Sequence, residues 1–338
     1  MQSLNISVVG LGQGGGRIAK SFYDSGSMGL FINTAKVDLD SLVVDESDKL
    51  VIGDGGGAGK DMNKSRKDFE SSVEEISERL RPLLDADKVF VCASSGGGTG
   101  GGICVDVINL LHELNVDGSC IIGCLMTLPS LSELHSTKVG DNARECLGLL
   151  CDMVDDGLLR PLIVVDNDAA KNRANIKSLR TVHDDVNSYI FECLNRFNVR
   201  AEQQTPLACI DRNDLADVYN RAGTLFVGAE RIVNTYDEND IQRRVEKAFQ
   251  HSAFLHGDGE IKASNSVIVV DIPTRMMDGS AKKTEGFLRC INKFIGTELN
   301  TVVHQGEYEC EDIDVPYLYV MSVLDGSPRK MIAARLPT

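Results

Sequence analysis

Hydrophobic positions along this chain fall into short runs, parted by glycine-rich or charged stretches. Residues 4–10, 29–33, 88–93, 118–127 and 161–166 are compact and apolar, as strands buried on both faces are. Other stretches repeat their apolar residues at helical spacing. Val107, Leu110, Leu111 and Leu114 predict a helix over 103–114, and Phe69, Val73, Ile76 and Leu80 predict one over 63–84. A shorter helix is expected over 18–24. Residues 178–197 carry a broad apolar face, Val182, Val186, Tyr189, Ile190, Cys193, Leu194 and Phe197, which suits a long helix lying between two domains. From Gly223 onward the glycine-rich loops stop. Strands at 224–228, 266–272 and 317–324 alternate there with helices at 238–251 and 282–294. Alternation of strand and helix predicts an α/β protein with a second α/β domain from Gly223 onward.

The glycines lie where strands should meet helices. Between the strand at 88–93 and the helix at 103–114, six of seven positions are glycine: Gly96, Gly97, Gly98, Thr99, Gly100, Gly101, Gly102. Without Cβ atoms the backbone can approach a ligand closely, and its N–H groups with the helix N-terminus suit phosphate. Thr99 adds a hydroxyl able to reach a phosphate oxygen or a hydrated metal. A second cluster, GLGQGGGR over 10–17, follows the first strand and contains the spacing of a dinucleotide-binding loop. A dinucleotide oxidoreductase would place an acid at the end of the next strand. Asn33-Thr34-Ala35-Lys36 stands there, with Asp38 and Asp40 beyond it. A third cluster, GDGGGAGKD over 53–61, is no Walker A loop, because Asp61 follows Lys60 where Ser or Thr should bind magnesium.

Taken together, these loops resemble those of the tubulin/FtsZ superfamily. GGGTG followed by a small residue and Gly is its signature, with Gly101 in the place of the usual Ser, Ala or Thr. Gln13 and Arg17 in the first loop make it most similar to the plasmid- and phage-encoded TubZ branch. The resemblance implies a doubly wound nucleotide-binding domain over 1–177, a linking helix and turn over 178–204 and a smaller α/β domain over 205–338, with a site for GTP or GDP with Mg²⁺. Gly12, Gln13, Gly14, Arg17, Asn33, Gly57, Ala58, Gly59, Gly96, Gly97, Gly98, Thr99 and Gly100 would surround the phosphates, and Lys60 could add a charge. Leu128-Pro129-Ser130-Leu131-Ser132-Glu133 resembles the fifth loop and implies that Glu133 meets the ribose. Asn167 and Asp185 match the positions that bind guanine, with Asp184 a competing assignment. Guanine offers N1–H and N2–H₂ donors together, which one carboxylate can accept.

IDRNDLADV over 210–218 resembles the seventh loop, so Asp214 and Asp217 fall on its two catalytic carboxylates. Arg212 stands where Asn is usual. Spaced three apart, the two acids share one face of a helix's first turn. The resemblance implies phosphate loops at one end of each subunit and the acidic loop at the other. The site would then close only when subunits stack head to tail, a contact that propagates into a filament. It implies a GTP-driven filament for plasmid or phage DNA segregation, with FtsZ-type cell division as the alternative. A Rossmann-type oxidoreductase is the rival from another class.

Charge narrows the partners. The net charge of −15 disfavours direct DNA binding by the globular body, so a basic DNA-binding adaptor is expected. Trp is absent and aromatic residues are only 5%, which argues against a stacking platform for single strands. No apolar run reaches the roughly 18 residues of a membrane span. No signal peptide is evident, and the ten scattered cysteines, Cys209 among them, read as core thiols of a reducing cytoplasm. A short basic end, Arg329, Lys330 and Arg335, closes the chain.

Overall fold

A computed structural model describes residues 3–174, 176, 178, 181–250, 252–255, 263–279, 281–298 and 302–336. Each apolar run predicted as a strand forms one, and parallel pairing joins those of the first half. Strands β1 (Ile6–Leu11), β2 (Gly29–Asn33), β3 (Lys49–Val51), β4 (Lys88–Ser94), β5 (Ile121–Leu128) and β6 (Leu162–Asp166) pair in the order β3-β2-β1-β4-β5-β6. Beyond β6 the sheet continues through β7 (Thr224–Arg231), β10 (Tyr317–Leu324), β8 (Ala263–Pro273) and β9 (Val302–Cys310). β6 and β7 share a single register pair, Leu162 with Thr224. β10 is antiparallel to both β7 and β8, while β9 runs parallel to β8 along the sheet edge. The described residues thus form one sheet of ten strands, which runs through both the first α/β unit and the second that the sequence suggested.

Helices cover both faces of the parallel half, as strands buried on both sides require. Helices α1 (Gly12–Tyr23) and α8 (Val182–Ala201) belong to an apolar core that also takes in β7 to β10. α3 (Met62–Ser71), α4 (Val73–Leu80), α5 (Gly98–Leu114) and α6 (Thr137–Asp155) fill the other core, with Ile332 of α13 (Arg329–Arg335). Burying one side chain such as Phe197, fully enclosed under α8, contributes about 1.5–3 kcal/mol.

Several boundaries differ from the sequence expectation. The stretch expected as one helix over 63–84 breaks at Ser72 into α3 and α4, then ends in a 3-10 turn. α1 and α5 start at Gly12 and Gly98, inside their glycine loops, because small residues let the first helical turn pack on neighbouring backbone. Residues 179 and 180 of the expected linking helix, and His251, lie outside the described residues.

α8 is bolted to the C-terminal strands by a buried acid. Asp271 of β8, 1% exposed, meets Arg196 at 3.0 Å and Arg200 at 2.8 Å, both from α8. Six cysteines are buried, and burial raises the pKa of the Cys92 thiol, so these are inert core thiols. Cys209 departs from that reading, for it is exposed in the loop before α9 (Arg212–Tyr219). No helix among the described residues is long and apolar enough to cross a membrane.

Candidate functional site

Because β1, β2, β4, β5 and β6 run parallel, the loops that leave them gather at one edge of the sheet. Gly12 takes φ 66°, and a Cβ there would stand 3.1 Å from the Gly100 nitrogen. A Cβ on Gly100 would stand 2.9 Å from the Leu11 carbonyl, so the first and fourth loops lie back to back. Thr34 and Thr99 close the join with a buried hydroxyl contact of 2.7 Å. Between these loops opens a cavity of about 730 Å³, within the usual range for a small-molecule site.

Most of the candidate ligand-binding residues line that cavity. The first loop supplies Gly12, Gln13, Gly14 and Arg17, and the second Asn33. The third supplies Gly57, Ala58 and Gly59. Gly96, Gly97, Gly98, Thr99 and Gly100 follow from the fourth, then Glu133 and Asn167 from the loops after β5 and β6. α5 begins here at Gly98, and its N-cap, Gly97, supplies no side-chain acceptor. The first N–H groups of a 17-residue helix therefore point at the cavity, which favours an anion.

Basic side chains share the wall. Arg17, Lys60 and Lys171 line it, and Arg17 has no protein partner among the described residues. Lys60 sits at φ 62°, unusual for a residue with a side chain. Asp61 does not face a metal but caps α3, accepting from the backbone of Asn63 at 3.0 Å and Lys64 at 3.4 Å. Two acidic residues hold the loops in place. Asp38 accepts from Gln13 at 3.2 Å and Asn33 at 3.3 Å. Glu133 accepts from the backbone and hydroxyl of Ser130, each at 2.8 Å. Asp38 and Thr34 are wall residues that the sequence reading did not assign.

Asp185 is not among the residues that line the cavity. α8 starts at Val182, and it presents Val182, His183, Val186 and Asn187 to the cavity. At 100° per residue, Asp184 and Asp185 fall outside that face. The Asp185 carboxylate accepts the Thr181 hydroxyl at 2.7 Å. The polar side chains that α8 offers to the cavity are therefore His183 and the Asn187 amide. Its spacing of four from His183 was the available signal.

Asp214 and Asp217 lie elsewhere. Asp211 caps α9, accepting from Asn213 at 2.7 Å and Asp214 at 3.1 Å. Asp214 returns the contact by accepting the Asp211 N–H at 2.8 Å, completing a capping box. His304 of β9 stands between the two acids, Nδ1 2.7 Å from Asp214 and Nε2 3.2 Å from Asp217. Arg212, beside them, pairs with Asp87 just before β4.

A second, polar cleft of about 620 Å³ opens there, lined by Asn5, Asp87, Asn198, Glu202 and Arg212. It therefore adjoins the starts of β1 and β4, whose ends carry the phosphate loops. α8 joins the two ends: Val182 and Asn187 line the first cavity, Asn198 the second cleft. Its 20 residues span about 30 Å. The acidic loop and the glycine loops are thus at opposite ends of the molecule.

Glycine loops at the strand ends of a doubly wound sheet, with a helix N-terminus aimed into the cavity, define a nucleotide-binding α/β protein. The chain belongs to the Tubulin/FtsZ family, whose GTPase domain matches residues 5–175. It is 28% identical over 244 residues to the tubulin-like protein CetZ of Methanothrix thermoacetophila, a match covering 66% of this chain and 64% of CetZ. To the cell division protein FtsZ 2 of Halobacterium salinarum it is 27% identical over 253 residues, covering 73% of this chain and 59% of that protein. The matched region thus spans less than two thirds of either relative. In three dimensions it is similar to a GTPγS-form protofilament of TubZ from Bacillus thuringiensis serovar israelensis. The TM-score is 0.81 at 17% identity, over 98% of this chain and 91% of that one. Family membership sets aside the dinucleotide oxidoreductase.

Proposed function

We propose that this chain binds and hydrolyses GTP and assembles head to tail into cytoplasmic filaments that segregate plasmid or phage DNA. The observation that carries the reading is that α8, about 30 Å long, runs from the glycine-loop cavity to the cleft lined by Arg212 of the acidic loop. A site so divided can be completed only by a neighbour. The single β6–β7 pair supports a division into a nucleotide-binding part over 1–177, a linking helix and turn over 178–204, and an activating part over 205–338.

In this reading the backbone N–H groups of Gly96 to Gly100 and Gly12 to Gly14 hold the phosphates, with Arg17 and Lys60 adding charge. Glu133 meets the ribose, and Asn167 with Asn187 meets the base. An Asn carbonyl can accept from guanine N1–H or N2–H₂ while its amide donates. Asp214 and Asp217 of the adjoining subunit orient a water and accept its proton as it attacks the γ-phosphorus. The bond to the β–γ bridging oxygen breaks, leaving GDP and phosphate. Among the described residues no cluster of three or more His, Cys, Asp or Glu could cage a metal. Thr99 and Asp38, both in the cavity wall, offer one hydroxyl and one carboxylate, which fits Mg²⁺, an ion that favours substrate phosphates, water and one or two protein oxygens. When bound, Mg²⁺ would neutralise charge on the β- and γ-phosphates.

A basic adaptor would link the filament to DNA. The likeness in sequence to a protein named for cell division favours a second reading, an FtsZ-type division filament. Light scattering with GTP tests the common core. Turnover per subunit should rise above a threshold protein concentration, in step with filament mass. Constant specific activity at every concentration, without filaments by electron microscopy, would refute the shared site.

A further inference from the structure

We propose that His304 is a positioning residue of the acidic loop, a strut from β9 that stands between Asp214 and Asp217 and sets them for the neighbour's nucleotide. This rests on the reading that those two acids act in hydrolysis. The geometry gives His304 a place that the capping box cannot fill. Capping occupies one oxygen of Asp214, Oδ2, at 2.8 Å from the Asp211 nitrogen. The other oxygen, Oδ1, is the one facing His304 Nδ1 at 2.7 Å. Asp217, with a side chain 59% exposed, lies on the other side of the ring, 3.2 Å from Nε2. Nε2 is buried and makes no hydrogen bond among the described residues, so it meets Asp217 by close approach and not by donation.

The strut has a firm footing. β9 is fastened to the loop before α9 at two further points. Glu307 donates its N–H to the Ala208 carbonyl at 2.8 Å, and the Ile210 N–H donates to the Tyr308 hydroxyl at 3.0 Å. His304 itself pairs in register with Val267 of β8, inside the sheet. The carboxylates of a loop are thereby referred to a strand, which holds geometry better than the loop alone.

Charge supplies the second argument. Asp214 and Asp217 are like charges one helical turn apart and repel. An imidazole ring set between them keeps the two carboxylates apart, with Nδ1 fixed on Asp214. The charged groups that face His304 are these two acids of α9, while its β8 neighbour Val267 is uncharged.

The test is steady-state GTP turnover of the full chain over a range of GTP concentrations, alongside filament pelleting and nucleotide binding, for H304A, H304Q and D214A. H304A should bind GTP and pellet as the wild type does, with turnover per pelleted subunit lowered roughly 10–100-fold. The loss should fall on kcat, with KM for GTP within about twofold of the wild type. H304Q keeps one donor and should recover part of that kcat. Wild-type kcat in H304A overturns the proposal while D214A is inactive. Active D214A instead overturns the role of the acidic loop itself. If H304A fails to fold by circular dichroism, H304Q decides by the same two readouts.

Discussion

Arg335 donates to Asp168 at 2.8 Å, and the same carboxylate oxygen accepts the Leu131 N–H at 2.8 Å. Arg335 also reaches Asp166 through Nε at 2.6 Å. The C-terminal helix α13 is thus tied to the loop that carries Glu133, at the wall of the nucleotide cavity. What reads in sequence as a basic tail is a tether. Arg329 of the same helix pairs with Asp152 and Asp155 of α6.

R335A should therefore loosen the ribose loop. Its GDP dissociation rate, followed with a fluorescent analogue, is expected to rise several-fold, and stability to fall by about 1–3 kcal/mol. Burial pushes the Asp166 pKa up, but the Arg335 contact and the α7 (Asn167–Arg173) backbone outweigh it, leaving the carboxyl below its usual range. A depressed carboxyl stabilises the fold above the unfolded value near 3.9 and loses that contribution as pH falls through the folded value. The stability gap between R335A and wild type should be full at neutral pH and shrink in acid. An unchanged dissociation rate would separate α13 from the cavity.

Base recognition should follow Asn187. N187A is expected to weaken GTP binding about tenfold and to erode preference over ATP, while D185A changes either by less than about threefold. Titration calorimetry with both nucleotides decides between them. The reverse order of effects would restore the carboxylate as the base contact.

Lys88 gives a pH signature of its own. It is fully buried at the start of β4, donating to the Arg160 carbonyl at 2.8 Å and lying 5.4 Å from the Phe90 ring. Burial pushes its pKa down to about 7. In the unfolded chain the amine titrates near 10.4, so between the two values the unfolded chain holds the extra proton and stability rises with pH. K88M removes that dependence. Relative to K88M, the wild type should gain about 1–3 kcal/mol from pH 7 to pH 9.5 in urea unfolding. A constant difference across that range would show that the amine stays charged when buried.

Duplex DNA should not bind the protein alone. With a net charge of −15, no measurable retention on random-sequence DNA is expected at about 150 mM salt. A basic partner should be needed to bring the two together, which co-sedimentation with and without candidate adaptors would reveal.

Several features were legible in the sequence because local chemistry specifies them. Short apolar runs bounded by glycine can hardly be anything but buried strands, and the glycine loops fall at their ends. A loop such as residues 96–102 can serve little else than close backbone approach. The resemblance of those loops also located Asp214 and Asp217. Sequence alone could not orient α8. Which of Asp185 and Asn187 faces the cavity depends on the helix's rotation, and distant contacts fix that, among them the grip of Arg196 and Arg200 on Asp271. Nor could it find His304, which lies 90 and 87 residues from the acids it bridges, on an edge strand with weak alternation. The same holds for Arg335, whose charge reads as solvated until α13 meets β6. Local propensity and spacing decide where strands and turns form. Which side chains meet across the chain depends on packing summed over both cores, and only the tertiary structure carries that sum.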